Sequence, residues 1–448
     1  MKNAREQIVD LLLLLEKEKG YAQLVLKEEL RQVEPKDKGF VTEVVYGTLK
    51  YRLRLDYILN QFSKVPVHKM KPFMRQLLRM SVYQLMSLDK VPASAVINEA
   101  VKLAKKRGFV TLSGFVNGVL RTVERQKGEV HYPDYKKTPT TYLSVYYSFP
   151  EWIIKEWLNS FSFEEVKELC EAMNERAKVA IRINTLCATK EEVRQELELL
   201  GCKTEPGVFL EEALYLKKSE EIQTLRSYQE GKWTVQDESA MLVAHVVNPQ
   251  PGECILDMCS APGGKSLHLA ALMENRGEII SGDIYPHKIE LIKQNALRMQ
   301  ANIVKPILQD GTLLEEEFMG YFDRVLLDAP CSGLGILKRK PDIRYNKTEE
   351  DLEAIVAIQR QLAQKAVLYL KPGGVLVYST CTISRRENEE TAKWIEESFS
   401  LEKLNIVDTI PNSLKPFVKQ ENRLQILPTM AGTDGFFIAA FKKRGVLT

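Results

Sequence analysis

From Val235 onward the chain repeats one unit. Five apolar stretches, CILDM (254–258), EIISGD (278–283), IVKPILQD (303–310), FDRVLLDAP (322–330) and GGVLVYSTC (373–381), each run into small or polar residues before a stretch of helical period. Strands that alternate with helices have few architectures open to them, because a parallel pair needs a long crossover and a helix supplies it. The pattern predicts a doubly wound, mostly parallel, Rossmann-like α/β domain over 233–448.

In such a sheet the ligand lies outside the carboxyl ends of the strands, so the closing residues carry the information. After the first strand comes CSAPGGKS (259–266), after the second Asp283, after the third Asp310, after the fourth Asp328 and after the fifth Cys381. CSAPGGKS ends like a phosphate-binding P-loop, but Cys259 stands where that pattern needs its first glycine. What remains is a turn of small residues ahead of a helix expected from Ser266. Gly263 and Gly264 permit positive φ and close approach of a ligand, and the helix start offers free N–H groups to an anion.

Asp283 follows Gly264 by nineteen residues, the spacing at which an acid grips ribose hydroxyls in dinucleotide folds. An adenosine-containing cofactor is implied. Three aspartates would repel a phosphate-rich ligand. S-adenosylmethionine suits them better, with its ribose, its exocyclic amine, a carboxylate for the helix start and a cationic sulfonium. Any one aspartate alone reads equally well as a turn cap.

The front of the chain is different. Residues 1–126 show helical periodicity with short breaks and no run of strand alternation, which predicts an all-α bundle with helices near 3–18, 37–60, 73–87, 93–107 and 110–126. A linker is expected at 131–149, where Pro, Thr and Tyr gather, so the first domain is placed at 1–130. Residues 150–232 mix helical stretches with the strand-like VAIRINT (179–185) and read as a small α/β domain.

Charge is segregated along the chain. Residues 1–140 hold 26 Lys/Arg against 15 Asp/Glu, an excess of eleven, while the whole chain is only +3. A concentrated positive face attracts polyanions, which makes RNA or DNA the leading partner class and a solvated basic surface the bland alternative. Seven scattered cysteines without paired short spacings suggest neither a disulfide framework nor a metal site, so no metal is expected and a reducing cytoplasm fits. Residues 8–15 carry Asp10 and lack a cleavage site, and no apolar stretch reaches the roughly 18 residues of a membrane span. No membrane association is expected.

LLDAPCSGLG (326–335) and VYSTCTISRRENEE (377–390) put Cys331 and Cys381 just past neighbouring strands. A thiolate gives such a site a use. Carbon 5 of cytosine is a poor nucleophile until something adds to carbon 6, and a thiolate can do so. Asp328 is the candidate acid at ring nitrogen 3. Spacing alone leaves open which thiol attacks, and a lone cysteine beside a strand is more often packing.

The C-terminal half resembles the Sun-type (Fmu-type) RNA cytosine-5 methyltransferases through RINTL, VQDESA, DMCSAPGGKS, LLDAPCSGLG, PDIRY, LKPGGVLVYSTCT and TDGFFIAAF, over residues 180–441. The front resembles the NusB RNA-binding domain through FVTEVVYGTLKYRLRLDYIL, LRMSVYQLMSL, VPASAVINEAVKLAKK and GFVNGVLR. The resemblance implies a NusB-like bundle, a small RRM-like α/β domain and a methyltransferase domain, acting on a cytosine of 16S ribosomal RNA in a single-stranded or loop context. It implies Cys381 as nucleophile, Cys331 assisting product release, and cofactor contacts at Cys259, Ser260, Ala261, Pro262, Gly263, Gly264, Lys265, Asp283, Asp310 and Asp328. A monomer is expected. A transfer RNA substrate, or an RNA-binding scaffold without catalysis, are the competing readings.

Overall fold

The computed structural model describes residues 3–17, 26, 28–217 and 222–445. The chain divides into two compact units, Met1–Asn174 with Arg339–Thr348, and Glu175–Lys338 with Glu349–Thr448.

The first unit is helical: α1 (Ala4–Lys17), α2 (Pro35–Lys50), α3 (Arg52–Phe62), α4 (Pro72–Ser87), α5 (Ala93–Lys106), α6 (Ser113–Gln126), α7 (Pro139–Tyr147), α8 (Glu151–Leu158) and α9 (Phe163–Asn174). Proline at the first position of α2, α4 and α7 uses a site whose N–H has no helical partner anyway. Helix α4 is the hub, burying Leu77, Leu78, Met80 and Val82 among α1, α2, α3, α5 and α6.

Two expectations change here. The helix foreseen at 37–60 is two helices, because Tyr51 leaves helical geometry at φ −98°, ψ 22°. The stretch 131–149, foreseen as a linker, contains α7, which packs against α8 and α9. The short segment 339–348 also belongs to this unit. Arg344 is fully buried, donates to the carbonyls of Lys50, Ser148 and Met173, and stacks 3.8 Å from the Phe149 ring centroid.

The second unit holds two sheets. The smaller is antiparallel, in the order β2 (Thr204–Pro206), β3 (Ala213–Leu216), β1 (Val179–Ile183), β4 (Trp233–Val235), covered by α10 (Lys190–Leu199). Its last strand passes the boundary foreseen at residue 232. A capping box at Thr189 and Glu192 starts α10.

The larger sheet is doubly wound: β5 (Cys254–Asp257), β6 (Glu278–Asp283), β7 (Val304–Leu308), β8 (Phe322–Asp328) and β9 (Leu370–Thr380) run parallel in the order 7-6-5-8-9. The antiparallel strands β10 (Glu402–Lys403), β11 (Val418–Lys419), β12 (Arg423–Ile426) and β13 (Phe436–Lys442) extend it beyond β9. Helices α11 (Glu238–Val247), α12 (Gly264–Leu272), α13 (Pro286–Arg298), α14 (Glu349–Tyr369) and α15 (Thr391–Phe399) connect or cover these strands. Central strands buried on both faces explain the unbroken apolar runs of the sequence.

Glu212, His245 and His268 bring donor atoms within 4.8 Å of one another, the one such group among the described residues. Glu212 Oε1 lies 2.6 Å from His245 Nε2 and 3.3 Å from His268 Nε2. Burial and the nearby Arg182 charge pull the His268 pKa down to about 3, so the ring is neutral at pH 7. With the buried Arg182 guanidinium acting on His268, these three residues tie the small sheet to helices α11 and α12.

Candidate active site

The reversal of strand order falls between β5 and β8, and both end at the same edge. β5 ends on the fully buried Asp257, whose Oδ2 accepts from Ser266 Oγ at 2.6 Å. Ser266 in turn accepts from Ser281 on β6 at 2.8 Å. The loop Met258–Gly263 folds back on β6: the Ser260 amide and hydroxyl donate to the Gly282 carbonyl at 2.9 and 3.2 Å. Asn295 of α13 donates to the Pro262 carbonyl at 3.0 Å.

Gly263 sits at φ 98°, against Ile292, and lets helix α12 begin at Gly264, two residues before the expected Ser266. Cys259 and Ala261 line this loop part-buried, and Pro262 is exposed. Burial, reinforced by the acids nearby, pushes the Cys259 thiol well up.

Asp283 closes β6, accepting from the Tyr285 amide at 3.2 Å and facing Lys288 Nζ at 3.4 Å. Asp310 follows β7 and accepts from the amide and hydroxyl of Thr312, which lower its pKa. Turn capping therefore accounts for one oxygen of each.

Four buried polar atoms at or beside this edge have no partner among the described residues: Asp257 Oδ1, Gln236 Oε1, and both amide atoms of Gln309. The Gln236 amide lies 3.9 Å from where a Cβ on Gly264 would stand, and Gln309 Oε1 lies 3.1 Å from the same point on Gly282. Such atoms cost free energy unless a polar ligand meets them. Asp257 stood inside the quoted motif DMCSAPGGKS yet was not singled out. Gln236 lies inside VQDESA and Gln309 inside IVKPILQD, but nothing in either stretch points to these amides, since orphaned burial is a tertiary fact.

The second half of the site comes from β8 and β9, whose parallel register sets Asp328 beside Ser379. Asp328 Oδ2 receives Lys265 Nζ at 2.5 Å and Oδ1 receives Ser379 Oγ at 2.8 Å. Burial pulls the Lys265 pKa down, but the Asp328 charge and hydrogen bond, with Asp257 and Cys381 nearby, together raise it by more, so the ammonium is retained. Lys265 Nζ also lies 5.0 Å from the Phe436 ring centroid.

The Ala329 amide donates to the Ser379 carbonyl, carrying the chain to Cys331, whose Sγ lies 3.1 Å from that of Cys381. Hydrogen bonding to Cys381, then burial, raises the Cys331 thiol well above the ordinary range. The geometry gathers Cys331, Cys381, Asp328 and Lys265 into one cluster next to the Cys259–Lys265 loop.

Three regions of the chain match known families: residues 2–125 the NusB family, 149–223 the ferredoxin-like domain of RsmF/B-like methyltransferases, and 244–442 the 16S rRNA methyltransferase RsmB/F family. The probable ribosomal RNA small subunit methyltransferase B of Bacillus subtilis is 40% identical over 448 residues, covering 99% of each chain. Ribosomal RNA small subunit methyltransferase B of Vibrio cholerae is 31% identical, over 92% of this chain and 91% of its own.

Among solved structures, PH0851 superposes with a TM-score of 0.81 at 27% identity, over 98% of both chains. NSun6 from Pyrococcus horikoshii, solved with the S-adenosylmethionine analogue SFG, gives 0.58 at 25% identity over 66% of this chain and 98% of its own. A helical front, a small antiparallel sheet and a doubly wound domain with a thiol pair at its carboxyl edge, matched end to end at 40% identity, have one assignment: the chain belongs to the RsmB/F family of 16S rRNA methyltransferases and is an S-adenosylmethionine-dependent RNA methyltransferase.

Proposed function

We propose that the protein methylates carbon 5 of one unpaired cytosine in 16S ribosomal RNA through a covalent bond between Cys381 Sγ and carbon 6. The observation that carries this reading is the 3.1 Å separation of Cys331 and Cys381, beside an aspartate held by a lysine. One sulfur can add to the ring while the other keeps a proton to exchange.

The cofactor fits the residues present. The start of α12 at Gly264 would take its carboxylate, Asp283 its ribose hydroxyls, and Asp310 and Gln309 the polar edge of its base, with Cys259 to Lys265 forming the wall. When bound, S-adenosylmethionine supplies an electrophilic methyl group.

The chain's residues do the rest. Cys381 Sγ, as thiolate, bonds to carbon 6, and the electron pair displaced from the 5,6 double bond makes carbon 5 nucleophilic. The Lys265–Asp328 pair stands ready to stabilise charge and deliver a proton at nitrogen 3. After methylation, carbon 5 gives up its proton to a base, nitrogen 3 returns its proton to the Lys265–Asp328 pair, the 5,6 double bond re-forms, and Cys381 leaves carbon 6 as the sulfur anion. Cys331, protonated against Cys381, supplies a proton to the departing sulfur.

A base inside a duplex cannot reach these thiols, so the target is single-stranded or flipped out. Residues 1–130 and 150–232 are assigned to RNA positioning and 233–448 to catalysis. No helix among the described residues is long and apolar enough to cross a membrane. We place the enzyme in the cytoplasm, as a monomer. The test is to incubate it with unmodified small-subunit RNA and methyl-labelled cofactor and map the product. Label at carbon 5 of one cytosine is expected. Label on another base, or transfer RNA preferred over ribosomal RNA, overturns the reading.

A further inference from the structure

The sequence RENEE (386–390) follows Cys381 closely, but the mechanism above gives it no part. It forms a single wide π-helical turn, Arg386–Glu390, ahead of α15. Such turns are rare and concentrate at functional sites. Two adjacent side chains on it, Glu387 and Asn388, are buried completely or nearly so, at 0% and 1% exposure.

Glu387 faces the loop of Cys331. Its Oε1 accepts from the Ser332 amide at 2.8 Å and from Gln359 Nε2 at 3.1 Å, and its Oε2 accepts from the Ser332 hydroxyl at 2.5 Å. Gln359 donates also to the Pro330 carbonyl at 3.0 Å. Cys331 is thereby held on both sides, through Ser332 directly and through Pro330 by way of Gln359.

Asn388 faces the segment of Cys381. Its Oδ1 accepts from the Thr380 hydroxyl at 2.6 Å, and its Nδ2 donates to the Thr382 carbonyl at 3.0 Å. Cys381 is likewise bracketed. Both anchors are fixed to the sheet: the Glu387 carbonyl accepts from Tyr378 of β9 at 2.6 Å, and Asn388 Nδ2 also donates to Gln425 of β12 at 2.8 Å. The two brackets meet where Ser332 and Thr382 share a hydroxyl hydrogen bond of 3.0 Å.

We propose that Glu387 and Asn388 are the positioning residues of the reaction, Glu387 setting Cys331 for release and Asn388 setting Cys381 for attack. The proposal rests on the thiol roles given under Proposed function. A carboxylate or amide buried this deeply is costly without its partners, and those it has are neighbours of the two reacting thiols. Displacement of a reacting group by about 1 Å costs on the order of a hundredfold in rate. One turn of chain thus sets both sulfurs from a single fixed point.

The test separates the two brackets, using the full-length protein with unmodified small-subunit RNA. Denaturing electrophoresis follows the covalent protein–RNA species with time. Glu387→Ala forms the adduct at near the wild-type rate and releases it at least tenfold more slowly, as Cys331→Ala would. Asn388→Ala forms the adduct at least tenfold more slowly. Cofactor Kd and KM for RNA stay within about twofold in both, which a general loss of structure would not permit.

Glu387→Gln recovers most of the release rate, because its amide oxygen still accepts from the Ser332 amide and its NH2 can donate to the Ser332 hydroxyl. Asn388→Asp does not recover attack, since it lacks the donor that Thr382 and Gln425 require. Should either alanine variant fail to fold, Ser332→Ala and Thr380→Val each remove one hydrogen bond of a bracket and reproduce the same split at smaller amplitude. Equal slowing of both steps in both variants, or no slowing in either, overturns the proposal. Adduct formation by Cys381→Ala would instead overturn the thiol roles beneath it, and the two failures are distinct.

Discussion

The Sγ atoms of Cys331 and Cys381 stand 3.1 Å apart although fifty residues of chain separate them. Adjacent parallel strands bring them together, and the roles proposed for them differ enough for substitution to tell them apart. Cys381→Ala is expected to reduce methyl transfer by roughly a thousandfold or more, as loss of a nucleophile does. Cys331→Ala is expected to accumulate a slowly dissociating protein–RNA adduct. The reverse pattern on a denaturing gel would exchange the roles.

Lys265 and Asp328 form an ion pair whose side chains are only 13% and 27% exposed. Removing one partner leaves the other charge poorly solvated, which costs more than the pair itself contributes. Lys265→Ala is expected to lower stability by about 2 kcal/mol, allowing for the partial exposure of Asp328. Adding Asp328→Asn restores most of that stability but no methyl transfer. Chemical unfolding and an activity assay on the same three proteins check it, and a double variant no more stable than the single one would contradict the account.

Burial drives the Asp257 carboxyl up to about 7, despite the hydrogen bond from Ser266. A carboxyl whose pKa is higher folded than unfolded binds its proton more tightly in the folded state. Its stabilising contribution is complete at low pH and is lost as pH rises from the unfolded pKa of about 4 through 7. Asp257→Asn mimics the protonated acid and lacks this loss. Its stability relative to wild type should therefore increase between pH 5 and pH 8 in the cofactor-free protein. Parallel stability curves across that range would refute the assignment.

Lys64, Lys69 and Lys71 lie exposed within one short stretch of the basic front segment. If they neutralise RNA phosphates, each phosphate left without its lysine lowers the slope of log affinity against log salt by about 0.7–0.9. Replacing all three with alanine is expected to weaken RNA binding at low salt and flatten its salt dependence by up to about 2–3 units. An unchanged slope in a filter-binding titration assigns the phosphates to other cations of the chain.

The parallel sheet was legible because each strand announces its own end: CILDM, EIISGD and FDRVLLDAP all stop at turn-forming or acidic residues, and function collects at those stops. The break at Tyr51 was not legible, since neither glycine nor proline marks it and helical period continues on both sides. Helix α7 was hidden by a composition of Pro, Thr and Tyr, although Pro139 in fact occupies a helix start. Burial of Arg344 among carbonyls of residues 50, 148 and 173 depends on the meeting of distant stretches, which periodicity does not encode. The same holds for the orphaned amide of Gln309 and for the side chains that bracket the two thiols.

Glycine at 335 is required by space rather than by dihedral freedom. A Cβ there would stand 2.0 Å from the Gly435 carbonyl oxygen and 2.7 Å from that of Cys381, both backbone atoms that cannot rotate away. The Gly335 amide donates to the Cys381 carbonyl at 3.0 Å, and its own carbonyl accepts from the Gly435 amide at 2.8 Å, so SGLG and TDGF meet at Cys381. Gly335→Ala must separate these strands of chain, at a cost of about 1–3 kcal/mol or more. The displacement falls on Cys381, while the loop at Cys259–Gly264, proposed above as the cofactor wall, follows another strand. The turnover number should therefore drop by roughly a hundredfold with cofactor affinity little changed. Calorimetric titration with S-adenosylmethionine beside a single-turnover assay separates the two effects, and an equal loss of both would mean that the substitution unfolds the domain rather than moves the thiol.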